Sequence, residues 1–311
     1  MNILCCIDSF KGTASSRELV SAMADVLKTD YKDKFLFSPL VFSDGGEGLL
    51  DCFSNIDIIV REVVGPLPSM KVDAKFGISK DKSFAVVEMA EAAGLFLVSK
   101  EKRNPLNTTT YGVGELVRHA IVEFGVKKVI IGAGGSATVD GGSGFLQGLG
   151  CEFFDQTGEK ISSPLTGAII HTIKHFSLSH LKFLDEVEFV VLSDVDTPLS
   201  KCAQVFGPQK GASPADVKFL TSSIASLGCN AYCPILPNAM DLVGGGAAGG
   251  LSLAVSLLGG HIEKGAAYVW NMAKGDEKLA MADVVISGEG CFDATTQEGK
   301  VIDLVKRKII D

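Results

Sequence analysis

The sequence has no apolar run of the roughly 20 residues that a membrane-spanning helix requires. Its longest strongly apolar stretch, 249–260, is too short, and His261 and Glu263 follow it. The N-terminal residues lack the basic segment and the long apolar core of a secretion signal. We therefore expect no membrane partner and a cytoplasmic protein.

The chain also has no excess of basic over acidic residues. The chain has 29 basic and 37 acidic residues, which gives a formal net charge of −8. This balance argues against general nucleic-acid binding, so we expect no nucleic-acid partner. Phosphorylated small molecules are not excluded, because local geometry outweighs net charge at a binding site.

The eight cysteines include no CxxC pair. Cys229 and Cys233 could share a metal ion, but no second pair or neighbouring histidine completes a set of four ligands. Reduced and mostly buried thiols are the expectation. The phosphate-binding patterns GxxxxGKS and GxxxxGKT are absent as well, which excludes a typical P-loop.

The length and the apolar content favour two domains. With 311 residues, 46% of them apolar, the chain can bury sizeable cores. The opening pattern of strand, helix and strand predicts a parallel sheet and lies at 3–7, 15–27 and 35–42. Short β-rich runs follow at 57–64, 71–78 and 84–89 and predict an antiparallel meander. This change from a parallel-sheet pattern to an antiparallel meander predicts a domain boundary near residue 60.

The most informative segment is the glycine-rich run 132–142, which follows an apolar strand and precedes a predicted helix at 143–149. Backbone N–H groups in such a turn can hold an anion. Ser136, Thr138 and Asp140 add two hydroxyls and a carboxylate. A carboxylate beside a phosphate suggests a divalent metal ion, because it would otherwise repel the phosphate.

Four other segments, each at the end of a predicted strand, place acidic or hydroxyl residues among or beside glycines. They are 8–12, 43–48, 193–196 and 288–290. Because the carboxyl ends of strands converge on clefts in α/β folds, we expect all five segments to share one site.

Phosphoryl transfer needs phosphate-binding donors, a magnesium ligand, a base and a cation. Asp194 and Asp196 alternate on an extended segment, so we expect only one of them to bind a metal ion. Lys11 and Lys210 are alternative cations near the transferred group. The glycine run 244–250 fits close approach to a nucleotide and tight packing of a helix equally well.

Nine segments, in order along the chain, resemble the type I glycerate kinases. They are DSFKGT (8–13), SDGGEG (43–48), EMAEAAGL (88–95), RNPLNTTTYGVGEL (103–116), IGAGGSATVDGGSGFLQGLG (131–150), SDVDTPL (193–199), VFGPQKGA (205–212), GGGAAGGL (244–251) and SGEGCFDATTQEGK (287–300). The resemblance implies an ATP-dependent, magnesium-requiring kinase that phosphorylates D-glycerate, generally to 2-phosphoglycerate.

The resemblance also implies an α/β protein of two domains with the active site in the cleft between them. A Rossmann-like or flavodoxin-like parallel-sheet domain would comprise 1–60 and 280–311, and a mixed α/β domain, 61–279, would be inserted into it. The sequence leaves a homo-oligomer open.

The resemblance and the residue chemistry together suggest roles for the site residues, with several alternatives. Backbone amides of Gly134, Gly135 and Ser136, or of Gly244 and Gly245, would bind ATP, together with Glu289. Asp194, with Asp44 or Asp196, would bind Mg²⁺. Lys11 or Lys210 would neutralise the transferred group, and Asp8 or Asp293 would orient or deprotonate the substrate hydroxyl. The substrate itself would contact Ser43, Asp44, Arg103 and Asn107.

Three departures from the family pattern motivate alternatives. Cys291 stands where the family usually has arginine, and Val139 stands where it usually has asparagine. The chain ends at Asp311, several tens of residues before the family pattern does, so we expect a reduced first domain or a sheet completed by another chain. The alternatives are a weakened relative that binds glycerate or nucleotide without efficient turnover, and a kinase of another small hydroxy acid.

Overall fold

A computed structural model of the chain describes residues 1–10, 12–31, 34–179, 181–290 and 301–310. The strands are β1 (Asn2–Ile7), β2 (Leu36–Val41), β3 (Ile56–Val64), β4 (Lys71–Ser79), β5 (Phe84–Glu88), β6 (Lys128–Gly132), β7 (Glu152–Asp155), β8 (Ile173–Ser177), β9 (Glu188–Leu192), β10 (His261–Glu263) and β11 (Val284–Gly288).

The α-helices are α1 (Ser16–Tyr31), α2 (Met89–Ala93), α3 (Tyr111–Phe124), α4 (Ser143–Leu149), α5 (Cys202–Phe206), α6 (Pro214–Leu227), α7 (Leu251–Leu257), α8 (Gly265–Met272), α9 (Gly275–Ala280) and α10 (Val301–Ile310). Short 3₁₀ turns connect several of them. A search of the described residues finds no helix with the length and apolar character that crossing a membrane requires.

The chain divides into two compact units. The first comprises Met1–Ser54 and Glu263–Asp311, and the second is the intervening segment Asn55–Ile262. The first boundary lies close to the predicted one near residue 60. The second lies earlier than the predicted residue 280, because α8 and α9 belong to the first unit.

The first unit contains a parallel sheet of three described strands in the order β11-β1-β2. Val20 of α1 packs against Cys5 and Ile7 of β1. The Ser16 hydroxyl, at the start of α1, donates to the Ile7 carbonyl (2.6 Å) and accepts from the Phe42 N–H (2.8 Å). These bonds fix the carboxyl ends of β1 and β2 relative to the start of the helix.

The second unit contains a mixed six-stranded sheet in the order β10-β9-β6-β5-β4-β3. The pairs β3–β4 and β4–β5 are antiparallel, as the meander predicts, whereas β5, β6 and β9 are parallel. One large core joins the sheet to helices that include α3, α4, α6 and α7. The predicted mixed α/β class is therefore confirmed, and the parallel strands set up the edge on which the candidate site lies.

Candidate functional site

In the second unit, three parallel strands end side by side. Glu88 of β5 pairs with Gly132 of β6, which pairs with Leu192 of β9. The glycine-rich segment 133–142 and the segment 193–196 therefore begin at the same edge of the sheet, as the sequence predicts. The Ala133 N–H donates to the Leu192 carbonyl (3.1 Å), which ties the two segments together where they leave the sheet.

The glycine-rich segment turns outward at Gly134 and Gly135. Gly135 is exposed and has a φ of +75°, a left-handed conformation that favours glycine. Among the described residues, neither its N–H nor that of Gly134 donates to a protein acceptor. After the turn, Ser136 forms an antiparallel bridge with Gly94, which holds the segment in place. Two adjacent unused N–H groups on a turn after a strand are the donors that an anion requires.

Lys210 lies beneath this turn and is only 2% exposed. Its Nζ donates to the Ser136 hydroxyl oxygen (2.7 Å) and to the Thr138 carbonyl (2.7 Å). No carboxylate within the described chain forms an ion pair with it, and burial lowers the pKa of Lys210 to about 8. Because Ser136 Oγ accepts from a cation, its own O–H can donate to a further acceptor, such as an anion at the turn.

The other polar side chains of this segment have structural roles. Asp140 is fully buried, and its carboxylate accepts from the Thr110 N–H (2.7 Å), the Thr110 hydroxyl (2.7 Å) and the Gly142 N–H (3.0 Å). Burial raises the pKa of Asp140. The Thr138 hydroxyl donates to the Ala248 carbonyl (3.2 Å). The expectation that Asp140 faces a metal ion beside the phosphate is therefore not supported, since its oxygens already accept from Thr110, before α3, and from Gly142 of the loop.

The second glycine run offers far fewer donors. The N–H groups of Gly244, Gly245 and Gly246 donate to the carbonyls of Asp196 (3.1 Å), Leu242 (3.0 Å) and Thr197 (2.9 Å), respectively. Further along, the Gly249 carbonyl accepts from the Gly141 N–H (2.9 Å). The run therefore joins the segments 133–142 and 193–198, and of the two predicted phosphate-binding runs the geometry favours Gly134 and Gly135.

Arg103 and Asn107 belong to a segment that runs beside the glycine-rich loop. The Thr108 hydroxyl donates to the Ala137 carbonyl (2.9 Å). Arg103 is half-buried, and its Nε donates to the Val98 carbonyl (3.1 Å), whereas Asn107 is exposed. A Cβ on Gly211, the residue after Lys210, would lie 2.1 Å from the Arg103 carbonyl oxygen. The structure thus brings the Arg103 backbone close to the turn that carries Lys210.

The candidate magnesium ligands fall in both units. Asp194 is half-buried and Asp196 is exposed, after β9, and Asp44 is half-buried, after β2. Within the described ranges, no group of three His, Cys, Asp or Glu side chains is placed to hold a metal ion. Hard carboxylate oxygens in ones and twos do fit Mg²⁺, which usually takes one or two carboxylates and completes its shell with phosphates and water.

In the first unit, a second set of polar residues lies at the carboxyl ends of parallel strands. Asp8 follows β1, Ser43 and Asp44 follow β2, and Glu289 follows β11. Asp8 and Ser43 are buried; the Asp8 N–H donates to the Gly288 carbonyl (2.9 Å), and the Gly46 N–H donates to Asp44 Oδ1 (3.0 Å). The three strand ends are therefore adjacent within this unit, as expected.

Sequence reasoning missed Ser9. Its side chain is 4% exposed, and Ser9 Oγ has no hydrogen-bond partner among the residues that the structure describes. A buried hydroxyl without a partner is uncommon and often marks a place for a ligand or water. The signal was present in the sequence, because Ser9 directly follows Asp8 in a segment already singled out. Of the predicted site residues, Lys11 and Asp293 lie outside the described residues, as does Cys291.

The parallel strands and their helices place this protein in the α/β class, in which ligands commonly bind beyond the carboxyl ends of the strands. The comparisons with known proteins narrow this class. A family model described as the glycerate kinase family matches residues 3–309. The chain belongs to the glycerate kinase family and is a kinase. The predicted resemblance is therefore confirmed.

Individual relatives agree with this assignment. The chain is 38% identical to a glycerate kinase of Haemophilus influenzae, over 94% of this chain and 78% of that one. It is 36% identical to the glycerate 2-kinase of Escherichia coli K12, over 97% and 80% of the two chains. A crystal structure assigned as a glycerate kinase 2 from Salmonella typhimurium LT2 matches with a TM-score of 0.82 and 36% identity, covering 99% of this chain and 83% of that one.

Proposed function

We propose that the chain transfers the γ-phosphoryl group of ATP to D-glycerate, with Mg²⁺, and forms 2-phosphoglycerate. The observation that carries this proposal is the anion site at Gly134 and Gly135. It combines two unused N–H groups with a buried cation, Lys210, behind the hydroxyl of Ser136. The relative named glycerate 2-kinase supports the choice of the 2-hydroxyl.

In this proposal, the ATP phosphates accept hydrogen bonds from Gly134, Gly135 and the Ser136 hydroxyl. Lys210 offsets the negative charge that develops on the transferred group. Asp194, with Asp44 or Asp196, would hold Mg²⁺, which when bound neutralises phosphate charge. Gly244 and Gly245 would support the loop rather than touch the nucleotide, and Glu289 would take part in nucleotide binding.

Residues of both units would bind the acceptor: Ser43, Asp44 and Asp8 from the first, and Arg103 and Asn107 from the second. Ser43 and Arg103 would pair with the glycerate carboxylate, and Asp44 and Asn107 would contact its hydroxyls. Asp8, or Asp293, would accept the proton of the attacking hydroxyl, which displaces ADP from the γ-phosphorus. We further propose that these residues meet in one active site between the domains and that the protein is cytoplasmic.

One departure from the family pattern becomes less important in the structure. The Val139 side chain is fully buried in the core of the second unit. Its apolar character therefore suits its surroundings. Cys291, the other substitution behind the weakened-relative alternative, lies outside the described residues.

The test is ADP release from purified protein given ATP, Mg²⁺ and D-glycerate, with a control lacking glycerate and a Lys210→Met variant. We expect glycerate-dependent turnover that falls at least about 100-fold in the variant. Phosphorus NMR of the product would distinguish 2- from 3-phosphoglycerate. ATP binding without turnover would instead support the weakened relative, and faster turnover of another hydroxy acid would support the third alternative.

A further inference from the structure

The outer edge of the six-stranded sheet is unusually regular. β3 pairs with β4, and no other described strand pairs with it. Its nine residues keep an unbroken register with β4 from Ile56 to Val64, without a bulge, and they include no proline and no lysine. Natural proteins often protect long edge strands with bulges, proline or lysine, so an edge strand that lacks all three is a candidate for pairing with another strand. The opposite edge strand, β10, has only three residues.

Two hydrogen bonds show which backbone groups of β3 face outward. The Val60 carbonyl accepts from Arg61 Nη1 (2.9 Å), and the Val64 N–H donates to Glu115 Oε2 (2.7 Å), both outside the β3–β4 ladder. In an antiparallel strand, the N–H and C=O of one residue point to the same side, and alternate residues share that side. Ile58, Val60 and Glu62 therefore present their backbone groups to the open edge, and Glu115 closes the edge at Val64.

The same edge carries exposed apolar side chains. Ile58 is 50% exposed and Val60 is 52% exposed. They are two residues apart, so they lie on one face of the strand. Pairing with a second strand would remove part of this apolar surface from water.

The residues of β3 are complementary to β3 itself. When two copies of this strand run antiparallel with Ile59 at the centre, Ile58 lies opposite Val60 of the second copy. That register matches outward-facing backbone groups on both strands, and each such pair exchanges two hydrogen bonds. It also places Asp57 directly opposite Arg61 of the second copy, twice by symmetry.

The neighbouring registers lack this match. Centring the pair on Ile58 places Asp57 opposite Ile59, and centring it on Val60 places Asp57 opposite Val63. Among the registers that match outward-facing backbone groups, only the Ile59-centred one places both Asp57 and Arg61 opposite a residue of opposite sign; the third charged residue, Glu62, then lies opposite Ile56. We propose that two copies of this chain associate through antiparallel pairing of their β3 strands in this register.

The experiment is sedimentation velocity on the full chain over a wide range of concentrations, with a charge swap. We expect a wild-type dimer. Asp57→Arg and Arg61→Asp, each alone, put like charges opposite each other and should raise the dimer dissociation constant by about tenfold or more. The double variant D57R/R61D restores opposite charges and should recover most of the wild-type affinity.

Glu123→Gln serves as the matched control, because Glu123 pairs with Arg61 within one chain. It should leave the dimer at least as tight, and thermal melts should show that every variant is folded. A wild-type chain that stays monomeric would overturn the proposal, and so would single variants that dimerise as well as wild type. Kinase activity is not part of the readout, so the result does not depend on the proposed function.

Discussion

Lys210 illustrates what a single residue gains from its surroundings. In the sequence it is one of two equal candidates for a cation, since both it and Lys11 precede a glycine in a loop. Its partners Ser136 and Thr138 are 74 and 72 positions away. Burial and long-range partners cannot be inferred from a local pattern, so the sequence could nominate Lys210 but could not show that its charge is desolvated.

The lowered pKa of Lys210 predicts a pH dependence of activity. With a pKa of about 8, the ammonium form predominates below pH 8 and is lost above it. We therefore expect kcat/KM to fall as the pH rises through about 8. Lys210→Arg keeps a charge at all accessible pH values, so its lower activity should lack this alkaline limb. An unchanged alkaline limb in the arginine variant would assign the titration to another group.

The same shift affects stability with a definite sign. Below about pH 8 the folded state must keep a proton on a desolvated amine, which costs stability relative to the unfolded chain. Between about 8 and the ordinary value of 10.5 the unfolded chain binds more protons, so the free energy of unfolding rises with pH. Relative to Lys210→Met, the wild type should gain about 3 kcal/mol over this range in urea titrations. If the stability of the wild type does not rise relative to the variant over this range, the Lys210 ammonium is not desolvated.

Asp140, unlike Lys210, is a residue whose type and spacing suggested a role that the geometry does not support. A carboxylate beside a glycine-rich turn is chemically suited to a metal site, but here three donors from Thr110 and Gly142 take up its oxygens. The sequence does not reveal whether a loop side chain turns inward. That direction depends on the start of α3, which lies 30 positions earlier.

At the scale of elements, the glycine run 244–250 before α7 allows close packing of two backbone segments. A Cβ on Gly249 would lie 2.1 Å from the Thr138 carbonyl oxygen, and a Cβ on Gly250 would lie 2.5 Å from backbone atoms of Gly141. The run therefore lies against the backbone of the glycine-rich loop, where a side chain would have no space. This close packing accounts for glycine at these two positions.

Gly249→Ala should consequently destabilise the protein much more than a matched glycine substitution. Gly259 has a similar left-handed backbone, with φ of +81° against +71°, but no atom lies within 4 Å of its added Cβ. We expect Gly259→Ala to cost about 1 to 2 kcal/mol, from backbone strain alone, and Gly249→Ala to cost several kcal/mol. Urea unfolding of both variants measures the difference. Equal costs would mean that the loop moves away freely.

Most elements could be predicted because their hydrophobic patterns are local. The predicted helix at 143–149 matches α4 in full, and the predicted strands at 3–7 and 71–78 match β1 and β4 to within a residue. The strand β8 was missed, because its residues Ile173–Ser177 include a lysine and a histidine and show little alternation. Its pairing with β7, which also lacks a clear pattern, is set by tertiary contacts that a local pattern does not contain.

At the scale of the molecule, the insertion of one unit into the other follows from chain order. β1 and β11 are neighbours in one sheet although more than 270 positions separate them. The sequence predicted this return only through the family resemblance, because no local pattern specifies which distant strands pair. The second unit is twice as long as the first and has six strands in its main sheet, against three described strands. Longer domains bury a larger fraction of their surface, so the second unit should be the more stable.

This difference predicts that the protein unfolds in two steps. The single tryptophan, Trp270, lies in α8 of the first unit, where it is 1% exposed and its Nε1 donates to Asp276 Oδ1 (2.8 Å). Its fluorescence therefore reports on the first unit alone, whereas far-UV circular dichroism reports on both. We expect the fluorescence transition at a lower urea concentration than the main dichroism transition. At urea concentrations between the two transitions, the backbone amides of β6 and β9 should still exchange slowly. If the two transitions coincide and this protection is lost at the same urea concentration, the two units unfold as one.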